Sequence, residues 1–375
     1  MRARAISVLL LAAAIMWAAP LLGLAAAGHP FLSYLDFPPR TRFLPHPSFE
    51  WSWFVILSLP LVGAVALYWI AIANARLGAA PAYPQRRFPW WGWLGLGLIA
   101  VNWFFASDEG FVPPEWRRHV FTPLWFGYIL VMNGLAFRRT GWALLTHRTK
   151  WFLALFPVSG VFWWLFEHLN QFVANWYYSG VEASGDGDYF LQTTLPFCTV
   201  LPAVASTSAW LKSFPRLNAM RLPAIRGRVP IAWLALVAGL LALACIGVWP
   251  NTLFPALWVA PLLIVGALQQ LLLGDTLFAS QQQGDWRPLL QPALAALICG
   301  LLWELWNFGS LAKWHYSIPY VQRFRVFEMP LLGYAGYLTF GIECALVMDL
   351  VARCIERRGV WPLDPREDAS AAAPS

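Results

Sequence analysis

The chain has 375 residues, of which 59% are hydrophobic and only 12% charged. Apolar runs of about twenty residues, the length that crosses a bilayer, recur along it, which excludes an ordinary water-soluble domain. The net charge of +7 does not point to nucleic acid, because the basic residues sit in short segments between apolar runs rather than on one amphipathic face; such charges set orientation in a membrane.

In chain order the expected spans are 5–27, 51–74, 90–107, 121–137, 151–178, 189–212, 230–248, 252–273, 289–312 and 329–352. The fold class is therefore all-α: a polytopic membrane protein with about ten transmembrane helices. The first run, "MRAR", an apolar stretch and "LAAAGHP", also fits a signal peptide, but its length favours a retained span. With the N-terminus inside, most of the 26 Lys and Arg residues gather on the cytoplasmic side, among them Arg86, Arg87, Arg138, Arg139, Arg148, Arg353 and Arg358. The acidic loop "GVEASGDGD" then falls outside. A multi-pass protein of the inner (cytoplasmic) membrane with both termini cytoplasmic is expected. Of the five cysteines, Cys198, Cys245, Cys299 and Cys344 fall within spans and Cys354 at an edge, and no CxxC spacing points to zinc.

The second half repeats the first with a shift of about 137 residues. "RFPWWGWLGLGLIAV" meets "RVPIAWLALVAGLLA", and "FTPLWFGYILVMNGL" meets "FPALWVAPLLIVGAL". "WLFEHLNQFVANWYYSG" (164–180) and "LLWELWNFGSLAKWHYS" (301–317) share an aromatic, Glu, two residues, Asn, a gap and Trp-x-Tyr-Ser. Each phrase is followed by an outside loop and a proline leading into the next span, "TTLPFCTVLP" and "FEMPLLGYAG". The expected organisation is two extra helices and a Pro- and aromatic-rich outside loop at 1–87, four-helix repeats at 88–213 and 229–356, and a disordered tail at 357–375. Because four spans are an even number, the copies run in parallel, related by a pseudo-two-fold axis along the membrane normal.

Glu and Asn three apart share one helix face, so Glu167 with Asn170, and Glu304 with Asn307, each present a carboxyl beside an amide. At about 1.5 Å per residue, Glu304 lies roughly 12 Å from the outer end of its span. Acids at such depth, here Glu167, Glu304 and Glu343, mark function by default. Two carboxyls sharing a site without a cation do not both ionise easily, so at least one is expected to carry a transferable proton. Aromatics surround them: Trp163, Trp164, Phe166 and Trp176 in one copy, Trp303, Trp306, Phe308 and Trp314 in the other. Ring faces stabilise cations, so a dry aromatic cavity with an acid suits protonation of a carbon–carbon double bond.

The plainer readings are that Trp176, Tyr178, Trp314 and Tyr316 are interfacial anchors and that the Glu–Asn pairs clasp helices, worth about 1 kcal/mol. His168, the one histidine clearly inside a span, meets Leu305 in the second copy; a bis-histidine haem needs a second histidine, and no metal site is expected.

The order in each copy, an intramembrane acid, Trp-x-Tyr at its outer end, a loop and then Pro, resembles the membrane-embedded carotenoid cyclases, the heterodimer-type lycopene cyclases. It covers about fifty residues per copy and implies two similar helical units with cofactor-independent, proton-initiated chemistry on a long polyene. Where that family carries Pro-x-Glu-Glu, this chain has "LPFCTV" and "MPLLGY", with Glu328 before the proline. The expected function is a membrane enzyme of the cyclase, hydratase or isomerase type, acting on a hydrophobic isoprenoid, carotenoid or lipid. Glu167, Glu304, Asn170 and Asn307 are its catalytic groups, and Trp164, Trp176, Tyr178, Trp303, Trp314, Tyr316 and Glu343 line the substrate. No cofactor and no nucleic acid are expected. The alternatives are a lipid or small-molecule transporter or binding protein with inward carboxylates, and a structural membrane subunit.

Overall fold

The computed structural model describes residues 1–75, 85–107, 110–181, 185–225 and 229–359. The tail "REDASAAAPS", Glu182 of the acidic loop, and the basic residues Arg76, Arg226, Arg228 and Arg366 lie outside the described residues.

Most of the described residues are helical. Helices α1 (Arg2–Ala26) and α2 (Trp51–Ala73) come first, followed by α3 (Trp90–Ser107), a single turn α4 (Pro114–Arg117) and α5 (Phe121–Thr140). The short α6 (Leu144–His147) leads into α7 (Thr149–Val173), strand β1 (Trp176–Ser179), α8 (Asp186–Phe197), α9 (Val200–Lys212) and the short α10 (Pro215–Asn218). Beyond these lie α11 (Val229–Ile246), a turn α12 (Pro250–Leu253), α13 (Ala256–Leu273), α14 (Arg287–Gly309) and strand β2 (Lys313–Tyr316). Two-residue strands β3 (Arg325–Val326) and β4 (Met329–Pro330) precede α15 (Tyr334–Ile355).

Seven helical stretches among the described residues are long and apolar enough to cross a membrane: α1, α2, α7, α8 with α9, α11, α13 and α14. Helices α3, α5 and α15, of 18, 20 and 22 residues, are of similar length. They carry more polar or amphipathic side chains: four tryptophans in α3, Arg138 and Arg139 in α5, and Glu343, Asp349 and Arg353 in α15.

Helices α5 and α13 end in the same way, with a glycine in the left-handed region, Gly141 at φ 74 and Gly274 at φ 68. Such a residue terminates a helix without the penalty a Cβ would bring. Helix α3 packs along α5, and α11 along α13. At the first crossing Gly95 and Gly127 face each other: a Cβ on Gly95 would stand 2.6 Å from the Gly127 carbonyl oxygen. Small residues of this kind let helices touch where water-driven burial is absent. Helices α14 and α15 pack together, with α1, α7, α9 and α13 around them.

Three element edges depart from the sequence expectation. The spans expected to reach 178 and 312 stop as helices at Val173 and Gly309, and the Trp-x-Tyr segments are strands. Second, the stretch 189–212 is two helices with a break at Cys198–Thr199, two residues after Pro196, where the Ser159 hydroxyl of α7 inserts, donating to the Phe197 carbonyl at 2.6 Å and accepting the Leu201 N–H at 3.0 Å, while Pro202 downstream brings no N–H to the Cys198 carbonyl. Helix α8 begins ten residues before Pro196. Third, Pro330 lies in β4 rather than in a helix, and α15 starts at Tyr334.

The two ends of the bundle differ. At one, β1 and β2 form an antiparallel ribbon with Trp176 opposite Tyr316, Tyr177 opposite His315 and Tyr178 opposite Trp314. The segment between α1 and α2 runs over it: Ser317 Oγ donates to the Leu44 carbonyl at 2.8 Å, and the rings of Phe43 and Tyr177 lie 5.4 Å apart. At the other end Arg148 forks onto Glu356, and Arg353 binds Asp349 at 2.6 Å and Asp275 at 2.8 Å.

Candidate functional site

The local fold of each repeated phrase begins with its asparagine. The Asn170 side-chain oxygen accepts from the backbone N–H of Asn175 (2.9 Å) and Trp176 (3.3 Å), and its amide donates to the Trp176 carbonyl (2.8 Å). Asn307 treats Trp314 in the same way, accepting its N–H at 2.8 Å and donating to its carbonyl at 2.8 Å. A helix leaves its last carbonyls unpaired and must turn aside; here one fully buried amide takes both polar groups of the first strand tryptophan. Each asparagine therefore stops its helix and aims its strand, bonding the strand backbone rather than the neighbouring carboxyl.

Side chains alternate across a strand, so Trp-x-Tyr places Trp and Tyr on one face. Cross-strand partners share a face as well. Trp176, Tyr178, Trp314 and Tyr316 thus form one aromatic surface, while the rings of Tyr177 and His315 meet at a tilt on the other side, 5.4 Å apart.

The first surface meets the glutamates. Glu167, 2% exposed, accepts on Oε1 from Tyr178 Oη at 2.5 Å, Trp163 Nε1 at 2.9 Å and Trp176 Nε1 at 3.1 Å. Glu304, fully buried, accepts on Oε1 from Tyr316 Oη at 2.7 Å and Tyr337 Oη at 2.9 Å. Trp314 Nε1 in turn donates to Tyr316 Oη at 2.8 Å. Glu304 Oε2 has no hydrogen-bond partner among the described residues. Neither carboxyl has a Lys or Arg within ion-pair distance there.

The donors of both glutamates line one cavity of about 140 Å³. Trp163, Trp176 and Tyr178 form one side, Tyr316 and Tyr337 the other, with Trp258 and Trp303 between. The two carboxyls stand one layer behind this wall. Arg118, His119 and Lys313 also border the cavity; Lys313 lies 3.8 Å from Glu328, which also holds His315 at 3.5 Å.

Of the residues singled out from sequence, Trp176, Tyr178, Trp303, Trp314 and Tyr316 line this cavity. Trp164 does not: its indole donates to Thr194 Oγ1 at 2.9 Å, and its ring packs on Phe190 and Phe197. Glu343 is fully buried in α15, outside the lining, with neither oxygen hydrogen-bonded among the described residues. His168 Nε2 lies 2.9 Å from the Trp17 carbonyl, its ring stacked on Trp17. Among the described residues no three His, Cys, Asp or Glu side chains gather as a metal site requires.

Sequence reasoning passed over Tyr337, Trp258, Arg118 and His119. The signal for Tyr337 is a phenol inside an apolar run, a group that needs a hydrogen-bond partner when buried.

No family model matches the chain, and no curated protein or solved structure matches it either.

Proposed function

We propose that this is a membrane enzyme that takes an isoprenoid or lipid chain into the aromatic cavity and acts on it by proton transfer. The observation that carries the reading is that Tyr178 on one side, and Tyr316 and Tyr337 on the other, line one cavity and each bond a buried glutamate. The Tyr316 hydroxyl, which donates to Glu304 in the resting arrangement, would turn its proton to a double bond of the ligand and take the proton of a protonated Glu304 onto its oxygen in the same step. The resulting cation, held against ring faces, would lose a proton elsewhere and return it to the carboxylate. The balance needs no oxidant, reductant or cofactor, as isomerisation or cyclisation of a polyene requires, and it is the chemistry that the resemblance to the carotenoid cyclases implies.

A second reading, binding or transport of an apolar molecule, draws on the position of the carboxyls behind the wall, where they stiffen the aromatic surface without touching a ligand. Comparing extracted lipids and pigments from cells with and without the protein separates the two. A mass or isomer change in an isoprenoid supports the enzyme; co-purification of an unaltered molecule supports the binder.

The same reading takes the chain as two parallel four-helix units after two extra helices, ten spans in all. In its support, β1 and β2 pair symmetrically about Tyr177 and His315, and the two asparagines perform the same bonds. It places the ribbon outside and the Arg148–Glu356 end in the cytoplasm of a bacterial-type inner membrane, on the strength of the basic segments.

A further inference from the structure

The face of the ribbon turned away from the aromatic cavity carries a second group of polar side chains. Alternation along the strands puts Ser179 beside Tyr177, and Lys313 beside His315. Ser179 and His315 are diagonal neighbours across the ribbon, and Ser179 Oγ lies 2.8 Å from His315 Nε2. On the far side of the imidazole, Nδ1 lies 3.5 Å from Glu328 Oε2, while Lys313 Nζ stands 3.8 Å from Oε1 of the same carboxylate. Ser179 is exposed; the His315 and Glu328 side chains are 29% and 16% exposed.

Local backbone features place these groups. Strand β1 ends at Ser179, and the chain turns at Gly180, φ 71, where a Cβ would meet the Leu311 carbonyl oxygen at 2.4 Å. Val326 pairs with Met329, so Phe327 and Glu328 form the turn between β3 and β4. Phe327 takes φ 57 there, a region that residues with a Cβ rarely adopt and that recurs at functional sites. The other copy of the phrase builds its strand without this cluster: Ser317, the counterpart of Ser179, donates to the Leu44 carbonyl, and Tyr177 stands where His315 does.

A hydroxyl, an imidazole and a carboxylate in this order are the parts of an activated nucleophile. The carboxylate at Nδ1 favours the Nδ1–H tautomer, which leaves Nε2 to accept the serine proton. The 3.5 Å contact is long for a hydrogen bond, and such contacts tighten when substrate binds. We propose that Ser179 and His315 are the catalytic residues of a second site that cleaves carboxylic esters of apolar acyl chains, with Glu328 as the positioning residue of the imidazole. Ser179 Oγ adds to the ester carbonyl carbon as its proton passes to Nε2. The carbon–oxygen bond to the alcohol then breaks, and the imidazolium gives that proton to the departing alkoxide. Water, deprotonated by the same nitrogen, releases the acid from the acyl-serine, so that ester and water become acid and alcohol. Lys313, opposite Ser179 in the ribbon, supplies positive charge on the face where the oxyanion forms. The rings of Tyr177 and Phe43, 5.4 Å apart, give the acyl chain an apolar surface. This site lies on the opposite face of the ribbon from the aromatic cavity and does not depend on its chemistry.

The test treats the full chain, purified in a mild detergent, with an alkyl fluorophosphonate, and mass spectrometry locates the label. Ser179 should be labelled in the wild type; Ser179→Ala should lose the label and Ser317→Ala keep it. His315→Gln, or His315→Asn if the first does not fold, should slow labelling by roughly 10²–10⁴-fold, the contribution of a general base. Glu328→Gln should slow labelling at an unchanged unfolding midpoint, and Glu328→Asp should restore part of the rate, which a purely structural carboxylate would not do. With p-nitrophenyl esters, the octanoate should be cleaved faster than the acetate. An unlabelled Ser179, or wild-type labelling in a folded His315 variant, overturns the nucleophile, and equal rates on the two esters overturn the substrate class.

Discussion

Tyr178 and Trp314 lie opposite each other in the two-stranded ribbon, and each serves a different glutamate. Tyr178 donates directly to Glu167, whereas Trp314 donates to the Tyr316 hydroxyl that binds Glu304. The second matched pair, Trp176 and Tyr316, joins the two groups again. One strip of four aromatic residues therefore couples two carboxyls that stand 137 residues apart in the sequence, and a one-residue slip of either strand would turn that strand's two rings away from the cavity.

Glu304→Gln keeps an acceptor for Tyr316 and Tyr337 while removing the transferable proton. The protein should insert and fold, and turnover should fall by roughly 10²–10⁴-fold, the contribution expected of a general acid. Turnover measured on the isoprenoid or lipid found by extraction, set beside detergent unfolding, checks this. Full activity in the variant ends the acid reading and leaves the binding reading.

Asn307→Leu should act on the fold. It strands the N–H and the carbonyl of Trp314, and each buried polar group left without a partner costs about 1–3 kcal/mol. The expected result is a clear drop in unfolding midpoint and a loosened ribbon, readable as faster hydrogen exchange at residues 313–316. Asn170→Leu should behave alike, since Asn170 also holds Asn175 and Thr41. Wild-type exchange in both variants would contradict the strand-aiming role.

Much of the helical frame was legible from sequence because its cause is local: α3 occupies 90–107 as expected, and α2 ends within one residue of expectation. The burial of each Glu and Asn on its helix was legible from the three-residue spacing, but the partner of each asparagine, the strand backbone rather than the carboxyl, was not. Nor was the ribbon. A strand of four residues has no stability alone, and β1 finds its partner 137 residues away, so Trp-x-Tyr read as the end of a span. Its alternation was nevertheless the period-2 signature of a strand. The depth of Glu343 was legible, but its separation from the cavity was not, because that depends on which way α15 is rotated.

Tyr316→Phe should disturb the site more than Tyr178→Phe. Loss of the Tyr178 hydroxyl leaves Glu167 with the indoles of Trp163 and Trp176, whereas loss of the Tyr316 hydroxyl leaves Glu304 with Tyr337 alone and strands the Trp314 indole. A larger fall in unfolding midpoint and in turnover for Tyr316→Phe is expected. Equal effects would mean that the two halves of the site are equally buttressed.

The last prediction concerns pH at the end of the molecule away from the ribbon. Burial alone would raise the Asp285 carboxyl, but the hydrogen bonds and charge of Arg287, with Arg221 at 3.7 Å, outweigh it and hold the group below the usual carboxylate range. A carboxyl that binds its proton less tightly when folded stabilises the fold fully above its unfolded value of about 3.9, and this contribution fades as the pH falls from there through the lower folded value. Asp285 also accepts the backbone N–H of Arg287 at 3.1 Å, at the start of α14. Asp285→Asn should therefore lower the unfolding midpoint at pH 6 to 7, and the gap between variant and wild type should narrow as the pH is taken below about 4. A gap that stays constant down to the lowest pH at which the protein remains folded would show that the amide loses only a hydrogen bond and that the charge of Asp285 contributes nothing.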